Sequence, residues 1–202
     1  MTSTFRRSPL ALAILSLLET GPMHPYAIQR LIKQWGKDQV VNVGQRASLY
    51  RMIDRLDEAG LITTTGTDRD ERYPERTTYE VTDAGRAATR QWLAEIVSTP
   101  RNEFPELPAA LSFLLMLTPE TTTELLEQRR AHLARRLADQ DAKLETPLPR
   151  IIAIEDDYTR AMTRAELTWV EGTLADLRDG SFTWSHAELA PLADASMKAA
   201  EA

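Results

Sequence analysis

The stretch GQRASLYRMIDRLDEAGLI, Gly44 to Ile62, constrains the fold most. Leu49, Met52, Ile53 and Leu56 recur at helical spacing and mark a single buried stripe. Gly60 suits a left-handed C-terminal cap, and Leu61 is placed to pack back on the helix. The first turns carry Gln45, Arg46, Ser48, Tyr50 and Arg51 with very little apolar cover. A helix of this kind buries one stripe and presents a polar, basic amino-terminal turn to something outside the protein.

The flanking segments predict what holds that helix. Leu10, Ile14, Leu17 and Leu18 have helical spacing, opened by Ser8-Pro9 and stopped by Gly21-Pro22. Pro25 fits the first position of a second helix, where its missing N–H costs nothing. Tyr26, Ile28, Leu31, Ile32 and Trp35 are expected to form its apolar face, and Gly36 to end it. Lys37 to Val43 reads as a short connection. After the third helix, Ile62 to Thr67 and Thr77 to Thr82 are rich in β-branched residues and predict two strands. The charged loop Asp68 to Arg76 joins them. Thr82-Asp83 caps a fourth helix that carries Trp92, Leu93, Ile96 and Val97. Three helices, two strands and a helix is the order of a winged helix-turn-helix.

Charge is divided along the chain. The 202 residues carry a net charge of -6, but residues 1–90 hold 13 Lys+Arg and 11 Asp+Glu, a net of +2, and residues 91–202 hold 11 and 19, a net of -8. The segment 22–55 is more basic, with Arg30, Lys33, Lys37, Arg46, Arg51 and Arg55 against Asp38 and Asp54. Only the amino-terminal half can face a polyanion. There is no cysteine, which excludes a disulfide scaffold, a thiolate metal site and a cysteine nucleophile. His24, His132 and His186 lie far apart, and no metal or cofactor is expected. His24 reads as a helix cap or packing residue rather than a catalyst. Arg6-Arg7 before the apolar run Leu10 to Leu18 mimics a leader, but the run falls below the roughly 18 residues of a membrane span. It reads as a buried helix, and the chain as cytoplasmic with no membrane partner.

The second half reads as helical. STPRNEFPELP, 98–108, is a proline-rich linker. Ala109 to Leu117 predicts a short apolar helix, and Thr118-Pro119-Glu120 opens a long one. Leu126, Arg130, Leu133, Leu137, Gln140 and Leu144 then follow heptad spacing. A last helix over about 150–178 has two apolar stripes, one of Ile151, Ile154, Tyr158, Ala165 and Trp169 and one of Leu167, Val170, Leu174 and Leu177. Two apolar faces call for two partners: the preceding helix and a second chain. Leu126, Leu133, Leu137, Leu167, Val170 and Leu174 are the residues assigned to dimerisation, with intrachain packing as the other reading of Leu126, Leu133, Leu137 and Leu144. The expected organisation is a DNA-binding domain over 1–97, the linker over 98–108, a helical dimerisation domain over 109–180 and a poorly ordered tail over 181–202.

LAILSLLETGPMHPYAI (12–28), ASLYRMIDRLDEAGLI (47–62), ERTTYEVTDAG (75–85) and AELTWVEGTLADLRDG (165–180) together resemble the PadR family of transcriptional regulators. The last segment resembles its branch with an extended helical C-terminal domain. The resemblance implies a mainly α protein: a winged helix-turn-helix with a two-stranded wing plus an all-helical dimerisation domain. It implies a homodimer on an inverted-repeat operator in double-stranded DNA, usually a repressor, in some members released by a small hydrophobic or aromatic effector. The chain departs from the family pattern in having His24-Pro25-Tyr26, Arg46-Ala47-Ser48 and Thr78 before Tyr79, so the family's half-site does not transfer.

Gln45 and Arg46 are the expected base-reading residues, since Arg suits guanine O6/N7 and Gln suits adenine N6/N7. Ser48, Tyr50 and Arg51 are expected at phosphates, with packing under the wing as the other reading of Tyr50. Arg69, Arg72 and Arg76 lie on the wing among acidic residues, and Arg76 matches the family's wing arginine. Trp92 and Trp169 are candidates for an effector pocket, against the plainer reading as core or interface. The clustered Glu155, Asp156 and Asp157 suit a helix amino terminus better than a cation site. Nothing has the spacing of an enzyme's nucleophile–base pair. The alternative function is a winged-helix protein–protein module without specific DNA binding.

Overall fold

The computed structural model describes residues 5–68, 76–144 and 148–185. The chain divides into two compact units, Met1–Asn102 and Glu103–Ala202. The first contains α1 (Pro9–Leu18), α2 (Pro25–Gln34), a 3-10 turn (Lys37–Gln39), α3 (Arg46–Glu58), β1 (Ile62–Asp68), β2 (Arg76–Val81) and α4 (Asp83–Ser98). The second contains α5 (Glu106–Leu111), a 3-10 turn (Leu114–Met116), α6 (Pro119–Leu144) and α7 (Arg150–Asp179).

Three helices of the first unit, α1, α2 and α4, start at a side chain that satisfies an otherwise orphaned N–H. Ser8 Oγ accepts from Ala11 N at 3.2 Å, His24 Nδ1 from Ala27 N at 3.0 Å, and Thr82 Oγ1 from Gly85 N at 3.1 Å. His24 is therefore a cap, as its position suggested. β1 and β2 pair antiparallel with a bulge between Thr64 and Gly66. Met23 makes an isolated bridge to β2: its N–H donates to Tyr79 O at 2.9 Å, and Tyr79 N–H returns to Met23 O at 3.0 Å.

One core closes this unit: Ala11, Ile14, Leu15 and Leu18 of α1, Ile28 and Ile32 of α2, Leu49, Ile53 and Leu56 of α3, Ile62 and Val81 of the wing, and Trp92 of α4. The face expected on α2 needs correction. Tyr26 and Trp35 are more than half exposed, because the inner face of α2 is Pro25, Ile28, Gln29 and Ile32 at 3-4 spacing. On α4 the inner face is Gly85, Thr89 and Trp92, which leaves Leu93, Ile96 and Val97 exposed.

The junction of α3 with α4 is tight. Gly60 takes a left-handed φ of 69°, and Leu61 N–H reaches back to Leu56 O at 2.9 Å, which ends α3 as expected. Thr82 Oγ1 donates to Gly60 O at 2.7 Å while it caps α4. Gly85 lies against the same turn, and a Cβ there would stand 2.0 Å from Leu61 O.

In the second unit α6 and α7 form an antiparallel hairpin sealed by Leu126, Leu133, Val170 and Leu174, with Leu167 and Leu177 packed beside them. Leu137 is half-buried. Leu126, Leu133, Leu167, Val170 and Leu174, expected at dimerisation or intrachain packing positions, pack inside the hairpin. Arg129–Glu166, Arg160–Asp141 and Arg178–Glu127 ion pairs staple the two helices along their length. The helix expected over Ala109 to Leu117 starts earlier, at Glu106, and gives way after Leu111 to the 3-10 turn. Trp184 Nε1 donates to Leu117 O at 2.9 Å, so residues just beyond α7 return to the start of α6.

Gly85→Ala forces a methyl group into main-chain atoms that cannot move aside. We expect the melting temperature of the first unit to fall by on the order of 10 °C, with Gly66→Ala, which meets open space, nearly neutral. Thermal circular dichroism of the two variants checks this.

Candidate nucleic-acid interface

The amino-terminal turn of α3 is polar and exposed. Leu49, Ile53 and Leu56 are at most 1% exposed, so they fix the rotation of the helix about its axis. That rotation puts Gln45, Arg46, Ala47, Tyr50 and Arg51 outside and leaves Ser48 half-buried. Gln45 occupies the N-cap position but makes no side-chain capping bond. Arg51 folds back along its own helix: Nε donates to Ala47 O at 3.2 Å, and Nη2 lies 3.4 Å from Ser48 Oγ. Arg46 and Arg51 add charge to the positive end of the helix dipole. Asp54, Asp57 and Glu58, with Arg55 among them, lie toward the other end, so the positive charge of the helix is weighted to its amino-terminal half.

The approach to this turn is anchored by groups that periodicity could not mark. Val41 and Val43 plug into the core. Gln29, buried on α2, donates from Nε2 to Val43 O at 3.1 Å. Asn42 Oδ1 accepts from Gly44 N at 3.1 Å. The connection expected as a plain linker is thus a wedge that sets where α3 begins. An open concavity of about 430 Å³ lies along it, lined by Lys33, Asp38 and Val40 to Gly44.

The carboxyl half of α3 is held by a second set of contacts. The Arg55 guanidinium lies over the Phe5 ring at 5.0 Å, and Phe5 stacks on Trp92 with centroids 5.7 Å apart and planes at 19°. Trp92 is therefore committed to packing within the first unit. Trp169, the other tryptophan named from the sequence, is 43% exposed on α7 of the second unit.

Tyr50 is about half exposed. It belongs to a group of charges around the wing tyrosine Tyr79, whose pKa is raised by burial first, then by the Asp54 and Asp57 carboxylates and by Tyr50. Tyr79 thus keeps its proton beside the polar arc of α3. Arg76 begins β2, but its side chain lies outside the described residues, as do Arg69 and Arg72 entirely.

The sequence profile of the transcriptional regulator PadR-like family matches residues 14–91, the stretch that runs from α1 into α4. The chain carries a PadR-like domain. The solved structure of Bacillus subtilis PadR in complex with operator DNA has the same fold, with a TM-score of 0.65 and 20% identity over 84% of this chain and 99% of that one. Bacillus subtilis PadR in complex with p-coumaric acid gives a TM-score of 0.61 and 19% identity over 86% and 99%. The Vibrio cholerae virulence activator AphA gives a TM-score of 0.62 and 22% identity over 84% and 98%. No curated protein sequence matches the chain. The likeness extends past the PadR-like domain to the α6–α7 hairpin, since each comparison covers more than four-fifths of the chain. Among the described residues, no helix is long and apolar enough to cross a membrane.

Keeping Tyr79 protonated stabilises the fold fully below the ordinary value of 10.0, and that stabilisation is lost as pH rises through the raised value. Above pH 10, denaturant unfolding should therefore show wild-type stability falling more steeply than that of Tyr79→Phe. Equal slopes would mean that the phenol is not held neutral.

Proposed function

We propose that the chain is a sequence-specific DNA-binding transcriptional regulator that acts as a homodimer on an inverted-repeat operator. One observation carries the reading. The amino-terminal turn of α3 offers Gln45 and Arg46 to solvent, Gln45 without a capping bond to its own helix, and the core fixes the rotation and start of that helix. The backbone that carries them is already in place, so docking has to order only the side chains, and these have the donors and acceptors the major groove requires.

In this reading Arg46 and Gln45 read bases. Ser48, Tyr50 and Arg51 meet phosphates, and Arg51 is already steered along the helix by Ala47 O. Arg76 follows the wing to the backbone or the minor groove. The likeness to a relative solved on operator DNA supports this assignment. Two recognition helices would enter successive major grooves about 34 Å apart. The sign of regulation is proposed as repression, following the family resemblance, although AphA is named as an activator. Control by a small aromatic acid follows from the relative solved with p-coumaric acid, and Trp169 is the more available of the two tryptophans for such a ligand. Binding would shift the dimer between arrangements that do and do not match one face of the duplex.

Fluorescence anisotropy against the protein's own upstream region and a scrambled duplex tests the reading. We expect affinity to fall steeply with salt and to favour the native duplex. Arg46→Ala should remove about 1–3 kcal/mol of that preference while the thermal melt stays unchanged. Salt-insensitive binding, or no preference for any duplex selected from a random pool, would move the protein–protein module to the front.

A further inference from the structure

One acidic side chain stands on the face of α3 that is proposed to meet DNA. Ala47, Tyr50, Arg51 and Asp54 are all exposed and share one side of the helix at i, i+3, i+4, i+7 spacing. Projected down the axis at about 100° per residue, Ala47 and Asp54 fall between Tyr50 and Arg51, on the side away from the buried Leu49, Ile53 and Leu56. Proposed above at phosphates, Tyr50 and Arg51 would reach the two walls of the groove. The side chains between them then face its floor, and of those two only Asp54 carries a polar group.

The arginines nearest to Asp54 in sequence are turned elsewhere. Arg51 donates back to Ala47 O, toward the amino terminus, and Arg55 lies over the Phe5 ring. Among the described residues no cation pairs with Asp54. A carboxylate left this way on a docking face is repelled by the phosphates of every duplex, whatever its sequence. Only an amino donor on the groove floor offsets that repulsion. Cytosine presents N4 with no acceptor beside it on the same base. Adenine N6 has the acceptor N7 next to it, and guanine O6 and N7 and thymine O4 are acceptors that a carboxylate avoids.

We infer that Asp54 is a specificity-determining residue that accepts a hydrogen bond from cytosine N4 at one position of each half-site and rejects guanine and thymine there. The inference rests on the DNA-binding reading above and adds to it a residue that works chiefly by exclusion, lowering affinity for wrong sequences more than it raises affinity for the right one. Asp54 stands about 12 Å along the helix from Arg46, so its base pair is separate from the one Arg46 meets. Asp54 also lies near the wing, where its charge adds to burial in raising the pKa of Tyr79. A purely structural role would act through that contact, and base preference separates the two roles.

Duplexes would be selected from a random pool by the full-length wild type, Asp54→Ala, Asp54→Asn and Tyr79→Phe, and each preferred duplex measured by anisotropy against its single-base variants. The wild type should show one position per half-site where cytosine is favoured by roughly 5- to 100-fold. Asp54→Ala should lower that preference to about twofold or less, raise affinity for a scrambled duplex at low salt and leave the other positions as they were. Asp54→Asn should move the preference at that position to adenine, whose N6 and N7 match a carboxamide. Tyr79→Phe should keep the cytosine. Unchanged preferences in both Asp54 variants would overturn the inference and leave the DNA-binding reading standing. Loss of the cytosine in Tyr79→Phe as well would place the role of Asp54 in the wing and also overturn it. A wild type that selects no duplex at all would remove the DNA-binding reading and this inference with it.

Discussion

Both ends of α3 are tied to the rest of the first unit through main-chain carbonyls, and the candidate interface depends on that double anchorage. At the start, Gln29 holds the Val43 carbonyl. At the end, Thr82 bonds the Gly60 carbonyl, and Gly85 is cut back to hydrogen so that α4 can pass the Leu61 carbonyl. Between these points Leu49, Ile53 and Leu56 lock the helix rotation. A turn fixed in this way can leave Gln45 and Arg46 outside without folding them back on the protein.

The same economy governs the wing. Met23, just before the α2 cap His24, shares two backbone bonds with Tyr79, which ties the start of α2 to the wing. The Phe5 stack, with Arg55 on one side and Trp92 on the other, closes the back of the first unit with residues from before α1, the end of α3 and α4. The front of α3 is left polar and its back is apolar, a division that suits a module meant to dock on a charged surface while remaining a folded unit.

The element order was legible in the sequence because periodicity and capping residues record it directly. Ser8, Thr82 and Gly60 each do what their type and position announce. The errors have one cause: a list of apolar residues does not say which way each faces. Tyr26 and Trp35 belong by spacing to the apolar face of α2 and yet lie exposed, as do Leu93, Ile96 and Val97 of α4. On α7 both stripes were seen, but the stripe of Val170 and Leu174 seals the hairpin and the stripe of Ile151 and Tyr158 is left outside. Gln29 and Gly85 carried no signal in the sequence. Their roles are set by main-chain atoms distant in the chain, and periodicity of side chains does not encode such contacts.

The central claim is that the first turn of α3 reads base edges in the major groove. Methylation interference at guanine N7, on the duplex the protein selects from a random pool, tests it most directly. The account predicts interference at guanines in two clusters about one helical turn apart, weakened selectively by Arg46→Ala. Interference confined to adenine N3 in the minor groove, or tight binding indifferent to every N7 methyl group, would contradict it.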